Sequence, residues 1–487
     1  MKKHAIVIGA GFAGLASAAL LAQKGLNVTL LEKNESLGGR AMSFSAEGFT
    51  FDMGPSWYMM PEVFDRFFGY FGKKTSDYYS LTKLDPKYRI VFGKDEVVDM
   101  RADNEENYAY FEKIEPGSSA RIRAYLAKSS EMYSLAMQYF VYKNYDSIFD
   151  MIDLKYARAG LKLPFLDTMD SYISRFVTSE KLKKILLYTT VFIGGVPKNT
   201  PAIYTLMSHL DFNDGVYYPQ GGIASVVAGL VSLCTELKVE IRTNVPVDQI
   251  LVEQGIVKGV QVGDERIEAD YVISNADYAH TEMDLLESQY QTFNATYWQK
   301  KTIAPSAFVL YLGVKGSIPQ FAHHTLFFTH DWEEHFEKMY SNLSWPDKPS
   351  MYICNPSKSD STVAPEGSEN LFVLVPIAPG LEDSPEIRKT YRNKIISMLD
   401  DTMGTDIAKR IKFERILTVN DYKTMYNSYQ GTALGLAPTL MQTAFFRPPN
   451  HSKKVQNLFF AGQNTLPGVG VPMGLISAEL AVSRIKL

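Results

Sequence analysis

Three glycines near the amino terminus stand at a spacing that can bind phosphate groups. Gly9, Gly11 and Gly14 form a Gly-x-Gly-x-x-Gly motif directly after an Ile- and Val-rich run that is typical of a short buried strand. Gly9 allows a tight turn, Gly11 lets the backbone approach a pyrophosphate, and Gly14 lets the next helix lie close to the strand. The free N–H groups at the start of that helix favour an anionic phosphate. The candidate binding residues of this segment are Gly9, Ala10, Gly11, Phe12, Ala13 and Gly14.

An acidic residue follows these glycines at the distance expected of a ribose ligand. Residues 27–31 form a second apolar strand, and Glu32 stands at its end, about 20 residues beyond Gly11. A carboxylate at this point accepts hydrogen bonds from an adenosine ribose and repels a 2′-phosphate. The two strands, the helix and the acid together predict a dinucleotide site, which both NAD and FAD fit.

Two further segments favour a flavin. Gly38 and Gly39 let the backbone pass close to a ligand, and Arg40 supplies a guanidinium for phosphate or flavin-facing groups. Near the carboxyl terminus, residues 458–461 read as a strand, followed by a Gly- and Pro-rich loop and a closing helix. A helix amino terminus in that place suits the electron-rich end of a reduced flavin. The candidates in this loop are Gly462, Gln463, Gly470, Val471 and Pro472.

Longer blocks in the same order resemble the bacterial phytoene desaturase family of FAD-dependent carotenoid desaturases. The resemblance covers nearly the whole chain. The amino-terminal motif is shared with all amine-oxidase-like relatives, whereas the central blocks and the Pro-Gly-x-Gly-Val-Pro loop are more specific to carotenoid enzymes. The similar blocks beyond the first motif are residues 38–40, 52–57, 194–195, 201–206, 218–222, 273–277, 308–313, 323–324, 364–367 and 462–472.

This resemblance implies an α/β fold with three parts. A Rossmann-like FAD-binding domain assembled from discontinuous segments takes residues 1–80, 215–290 and 415–487. An α+β substrate-binding domain takes 81–104 and 291–414, and a helical, membrane-associating lid takes 105–214. The further cofactor-binding residues that the resemblance implies are Lys33, Gly54, Pro55, Ser56, Val247 and Asn275.

The implied activity is desaturation of an acyclic polyene in carotenoid biosynthesis. FAD takes a hydride at N5 while a neighbouring C–H bond loses a proton. The implied substrate is a long-chain isoprenoid hydrocarbon, phytoene or similar, held in an apolar tunnel. Desaturases of C30 diapophytoene or of later carotenoids, carotenoid ketolases, flavin amine oxidases and a flavin-free carrier of prenylated proteins remain alternatives. No catalytic residue is assigned. Asp150 and Asp153 near the lid are weak candidates for the proton acceptor and are better explained as surface charges of a helix.

Composition limits the other partners. The chain of 487 residues carries 50 basic and 54 acidic residues, so an excess of cations for nucleic acid is absent. Cys234 and Cys354 are its two cysteines, which predicts no disulfide framework and a reducing compartment. No run approaches the length and apolarity of a membrane span. We therefore expect a cytoplasmic protein, peripherally associated with the inner face of the membrane; its oligomeric state is not predicted.

Two other features bear on the membrane and on metals. Lys155, Arg158 and Lys162 stand beside apolar residues and suit either a membrane surface or a solvated loop.

His323 and His324 are adjacent, and adjacent residues of a strand point to opposite faces. Because no third ligand stands at a suitable spacing either, the sequence predicts no metal site.

Overall fold

A five-stranded parallel sheet forms the centre of the fold. The structure, a computed structural model, describes residues 2–94, 96–145, 164, 166–328 and 331–486. The sheet draws its strands from both ends and the middle of the chain, as a discontinuous cofactor domain requires. From one edge to the other, the strands are Leu458–Phe460, Tyr271–Ser274, His4–Ile8, Asn27–Leu31 and Glu240–Arg242.

Helices cover one face of this sheet and a small antiparallel sheet covers the other, which explains why its strands read as continuous apolar runs. The helix Phe12–Gln23 lies between the helices Ile223–Glu236 and Val471–Ser483 and contacts both. Ile6 and Val7 point to opposite sides of the sheet, and both are fully buried. The prediction of an α/β fold with a parallel sheet is confirmed.

A seven-stranded, mainly antiparallel sheet forms a second layer. The helix Pro385–Met403 covers one face, where Phe308 and Leu310 lie, whereas Val309 and Tyr311 face the other core. Its strands in order are Ile411–Leu417, Ser306–Lys315, Ser368–Ile377, Met351–Cys354, His324–Phe328, Tyr88–Phe92 and Val97–Met100.

Three small antiparallel sheets complete the strands of the described residues. A three-stranded sheet packs on one face of the parallel sheet, and two further pairs of strands join, in one case, neighbouring strands and, in the other, strands far apart in the chain. These strands are Gln249–Glu253, Ile256–Val262 and Glu265–Glu268; Ser43–Ala46 and Phe49–Asp52; and Leu81–Lys83 and Tyr217–Pro219.

The described part of residues 105–214 is mainly helical, as the sequence predicts. Its α-helices are Asn104–Ile114, Ser118–Ala136, Met169–Ile173, Glu180–Leu187, Thr189–Phe192 and Leu206–His209. The remaining α-helices of the described residues are Pro61–Gly69, Tyr278–Asp284, Ala295–Gln299, Trp332–Tyr340, Ile407–Arg410 and Val419–Tyr426.

Among the described residues, none of the helices has both the length and the apolar character needed to span a bilayer. Two acidic and three basic residues near the expected lid lie outside the described residues: Asp150, Asp153, Lys155, Arg158 and Lys162.

Candidate active site

A cavity of about 720 Å³ lies between the parallel sheet and the seven-stranded sheet. The carboxyl ends of parallel strands meet on one side of it, where α/β folds bind their ligands. All of the sequence-predicted site residues line this cavity except Ala10 and Gly14. The structure thus brings together segments from the two ends and the middle of the chain.

Close packing explains the three glycines of the first motif. Gly9 has φ +90°, which only glycine adopts without strain. A β-carbon at Gly11 would stand 2.8 Å from Oδ1 of Asn275, and one at Gly14 would overlap the carbonyl oxygen of Gly9. Gly14 therefore brings the helix against the strand, while Gly11 leaves the cavity side of the turn open to a ligand.

Glu32 is a buried carboxylate that fixes this turn through hydrogen bonds to the backbone. Its Oε2 accepts the backbone N–H of Ala10 at 2.8 Å, and its Oε1 accepts the backbone N–H of Asn34 at 2.9 Å. Oε1 also accepts a hydrogen bond from Nδ2 of Asn34 at 2.9 Å, so the further lone pair for a ribose hydroxyl is on Oε2. Ala10 thus serves the site through its backbone, which explains why it does not line the cavity. Lys33 and Val247 line the same end, where burial lowers the pKa of Lys33.

The glycine pair Gly38 and Gly39 directly precedes Arg40, and all three residues line the cavity. Gly38 has φ +110° and its N–H donates to the carbonyl oxygen of Ala10 at 2.8 Å. A β-carbon at Gly39 would lie 3.1 Å from the α-carbon of Gly11. Arg40 donates from Nη2 to Oγ of Ser428 at 3.0 Å, and its buried Nε has no hydrogen-bond partner among the described residues.

The carboxyl-terminal loop closes the other side of the cavity. Asn275 donates from Nδ2 to the carbonyl oxygen of Ala461 at 2.9 Å, and a β-carbon at Gly462 would lie 2.7 Å from the same nitrogen. Gly470, at φ +129°, precedes the helix Val471–Ser483, whose first turn has no side-chain cap. Its free N–H groups therefore face the cavity as a site for partial negative charge.

Apolar side chains form the rest of the cavity wall. Gly54 and Pro55 adjoin Arg40, because a β-carbon at Gly54 would overlap the carbonyl oxygen of Arg40. Aromatic and Met side chains of the helical region, among them Tyr133, Met137 and Phe140, form part of this wall. The apolar side chains that narrow the cavity include Tyr133, Ala136, Met137, Phe140, Phe192, Trp332, Phe336, Met339 and Leu374.

Three of these wall residues are not among the site residues predicted from the sequence. Trp332, Phe336 and Met339 lie on one face of the helix Trp332–Tyr340. Their spacing of four and three residues is the signal that marks a common helix face. That spacing alone is equally typical of an ordinary core helix, so it does not identify a cavity.

Arg447 is a second missed residue, buried at 4% exposure. It donates to the backbone carbonyl oxygens of Gln442 at 3.2 Å and Gln463 at 2.8 Å, and burial lowers its pKa. The guanidinium lies 3.7 Å from the position of a β-carbon at Gly468. It therefore fixes the glycine-rich loop and adds positive charge behind it.

Contrary to the sequence prediction, His323 and His324 do not point to opposite faces of a strand. Their rings do not point apart: the centroids lie 4.5 Å from each other. The reason is that the strand begins at His324, so His323 precedes it and escapes the alternation of a strand. Cys354 joins them as a third potential ligand. Burial lowers the pKa of His323 to about 3 and the pKa of His324 well below its usual value.

The residues present fit a flavin dinucleotide. The glycine turn is a cradle that side chains would fill, the buried Nε of Arg40 lacks a partner among the described residues, and an uncapped helix start faces the cavity. These features recognise phosphate at one end and developing negative charge at the other.

Comparison with curated proteins gives full-length relatives. A carotenoid 3,4-desaturase of Haloarcula japonica is 48% identical over 475 residues, covering 97% of this chain and 96% of that protein. A ζ-carotene-forming phytoene desaturase of Myxococcus xanthus is 32% identical and covers 99% of this chain and 94% of that protein. A 4,4'-diapophytoene desaturase of Staphylococcus haemolyticus is 32% identical, with 98% of each chain covered.

Solved structures share the fold at low sequence identity. An oxidoreductase of Methanosarcina mazei has a TM-score of 0.65 and 16% identity, covering 99% of this chain and 100% of that chain. Wild-type putrescine oxidase bound to putrescine has a TM-score of 0.63 and 14% identity, covering 99% and 98%.

The family match agrees with the geometry of the cavity. Residues 12–486 match the family described as flavin-containing amine oxidoreductase, and the resemblance to phytoene desaturases found in the sequence is confirmed by the full-length relatives. The chain is a member of the flavin-containing amine oxidoreductase family.

Proposed function

We propose that this protein is a FAD-dependent carotenoid desaturase that introduces double bonds into an acyclic polyene. One observation carries the proposal: a single cavity joins the dinucleotide turn of Gly9 and Glu32 to a wall of apolar side chains. A long hydrocarbon has no polar group to be recognised, so it binds by leaving water or lipid for such a wall. The full-length relatives named as carotenoid and phytoene desaturases support the same substrate class.

FAD is the proposed cofactor. Glu32 would bind the adenosine ribose, with Val247 beside the adenine, and the turn at Gly11 with Arg40 would bind the pyrophosphate. The first N–H groups of Val471–Ser483 would face the flavin. When bound, FAD supplies the hydride acceptor of the reaction at flavin N5.

The chain itself positions the polyene and excludes water. Met137 and Phe140 from the helical region line the same cavity as Trp332 and Phe336. Burying apolar area in this way contributes about 25 cal/mol per Å². The wall thereby holds one C–C bond of the chain in place at the cofactor end, which lowers the entropic part of the barrier.

The proposed domains keep the division expected from the sequence. We assign residues 1–80, 215–290 and 415–487 to FAD binding, and 81–104 with 291–414 to the substrate. The described part of 105–214 would cover the cavity as a lid.

The proposed location is the cytoplasmic face of a membrane, without a span. Leu440 and Met441 are exposed at 39% and 61%, and Phe446 at 37%. They flank Pro438 and Thr443, which line the cavity. An apolar surface beside the cavity would let a polyene pass from the bilayer to the site without crossing water.

An anaerobic turnover assay tests the function. Purified holoenzyme is mixed with phytoene in liposomes, and the absorbance of the flavin and of the product is recorded. We expect bleaching of the flavin band together with a new structured polyene band. A flavin that stays oxidised with phytoene, with C30 diapophytoene and with later carotenoids, but bleaches with putrescine, would replace this function by amine oxidation.

A further inference from the structure

We propose that His323, His324 and Cys354 form a binding site for one zinc ion. The site lies behind the wall of the cavity and takes no part in the desaturation proposed above. It would hold that wall in place.

The fold brings the three side chains to one point. His324 and Cys354 are directly paired across the antiparallel strands His324–Phe328 and Met351–Cys354, so their side chains stand on the same face. His323 precedes the strand and turns its ring toward His324. One ligand atom from each of the three lies within 4.8 Å of the other two. Zinc bond lengths place such atoms roughly 3.3–3.6 Å apart, so rotations of the side chains that bring the three atoms closer together would complete the set.

Hydroxyl groups orient both imidazole rings for a metal. Nδ1 of His323 lies 2.9 Å from Oγ of Ser359, and Nδ1 of His324 lies 2.7 Å from Oη of Tyr352. When each Nδ1–H donates to its hydroxyl oxygen, each Nε2 carries a free lone pair. This is the outer-shell arrangement that metal-binding histidines adopt.

Both Nε2 atoms are buried and have no hydrogen-bond partner among the described residues. His323 is 4% exposed and His324 is fully buried. A buried nitrogen without a partner costs free energy, on the order of 1–3 kcal/mol. A cation bound by the two nitrogens and the sulfur would satisfy both Nε2 atoms. Apolar side chains in these two positions would not leave buried nitrogens without partners.

The ligand types select the metal. Two imidazoles and one thiolate suit zinc, which favours nitrogen and sulfur ligands, and do not suit magnesium or calcium, which prefer oxygen. Binding displaces the thiol proton of Cys354 to solvent. A small cavity of about 20 Å³ adjoins Cys354 and Ser56, which is room for one water on the side of the sulfur.

The site would stabilise the wall of the large cavity. The ring of His324 stacks on Trp57 with centroids 4.4 Å apart and an angle of 11° between the planes. Tyr352, which holds His324, also binds Ser56 at 2.7 Å, and all three of Trp57, Ser56 and Tyr352 line the cavity. Zinc would thus fix the rings of this wall through His324.

The experiment uses the FAD-loaded protein. It is treated with a chelator, dialysed against one equivalent of zinc chloride, and analysed for zinc per chain and by zinc K-edge X-ray absorption, which the flavin does not obscure. We expect one zinc per chain, with sulfur at about 2.3 Å and nitrogen at about 2.0–2.1 Å. Cys354→Ser should remove the sulfur signal and lower the zinc content at least tenfold.

Cys234→Ser is the matched control. Cys234 is equally buried but lies in the helix Ile223–Glu236 against the carbonyl oxygen of Leu15. It should keep both the zinc and the sulfur signal. His323→Gln gives a second test that leaves both cysteines in place and should remove one nitrogen ligand. The proposal is overturned if the wild type retains less than about 0.1 zinc per chain, which would leave a buried water as the occupant, or if Cys354→Ser keeps the sulfur signal.

Discussion

The α-carbon of Gly14 packs against the carbonyl oxygen of Gly9 so closely that no β-carbon fits between them. This contact joins the first turn of the helix Phe12–Gln23 to the end of the strand His4–Ile8. The helix has no side-chain cap, so this contact helps to place its free N–H groups at the phosphate turn.

Gly14→Ala is therefore expected to weaken FAD binding at least tenfold, which corresponds to about 1.4 kcal/mol. The added methyl group pushes the helix away from the strand and misplaces the N–H groups. The dissociation constant is measured by flavin fluorescence quenching. Gly69→Ala is the control, because Gly69 ends a helix and nothing lies within 4 Å of its β-carbon position. Equal affinities for the two variants would contradict the role of Gly14.

Ala136→Phe is expected to block part of the substrate cavity. Ala136 is 5% exposed at the end of the helix Ser118–Ala136 and lines the cavity. A phenyl ring fills space that the polyene would use, so kcat/KM for phytoene should fall at least tenfold, about 1.4 kcal/mol. FAD affinity should be unchanged. Ala120→Phe, an exposed position of the same helix, serves as the control; a loss of activity there too would point to a general disturbance of the helix.

Met441→Glu is expected to weaken binding to lipid vesicles about tenfold. Met441 is 61% exposed beside the cavity, and a carboxylate on this surface removes apolar area and adds a charge that must leave water. Sedimentation with vesicles of the lipid used in the assay measures the effect. Leu343→Glu provides the comparison, because Leu343 is also exposed, at 52%, but lies in another part of the chain, beyond the helix Trp332–Tyr340. If both variants bind vesicles equally well, the surface around Met441 is not the contact.

Glu282→Gln is expected to change how stability depends on pH. Burial raises the pKa of Glu282 to about 7. Its contribution to stability is therefore complete below the unfolded pKa of about 4.3 and is lost as the pH rises toward 7. Oε2 accepts the backbone N–H groups of Thr292 and Phe293, whereas Oε1 has no hydrogen-bond partner among the described residues, so a glutamine oxygen keeps the bonds.

The variant should match the wild type near pH 4.5 and gain up to roughly 3 kcal/mol at pH 8. Urea unfolding followed by fluorescence at the two pH values measures the difference. Glu366→Gln, at an exposed position, should show no such gain. A gain of equal size at both pH values would mean that ionisation of Glu282 is not its cause.

The dinucleotide turn could be predicted from the sequence because its chemistry is local. Gly9, Gly11 and Glu32 are linked by one strand, one helix and one further strand, so their spacing fixes their geometry. The strands of the parallel sheet were predictable for a related reason: a strand buried on both faces has a continuous apolar run, as in residues 271–274.

The remaining wall could not be predicted because it is assembled by long-range packing. Trp332 and Arg447 meet the cavity from a helix and a loop whose local patterns are ordinary. The alternation rule failed at His323 because the strand begins one residue later than assumed. Cys354 is 30 residues away in the sequence, and only the antiparallel pairing of two strands places it beside His324.

The order of strands in the parallel sheet also governs how the protein is made. The strands His4–Ile8 and Leu458–Phe460 are separated by one strand in space but by about 450 residues along the chain. At the usual speed of a ribosome, roughly 20–90 s pass between the synthesis of the first and of the second. The nascent chain must keep an unfinished sheet edge away from other chains throughout this interval. Since the cavity includes residues from both ends of the chain, cofactor capture is consequently among the last events of biogenesis.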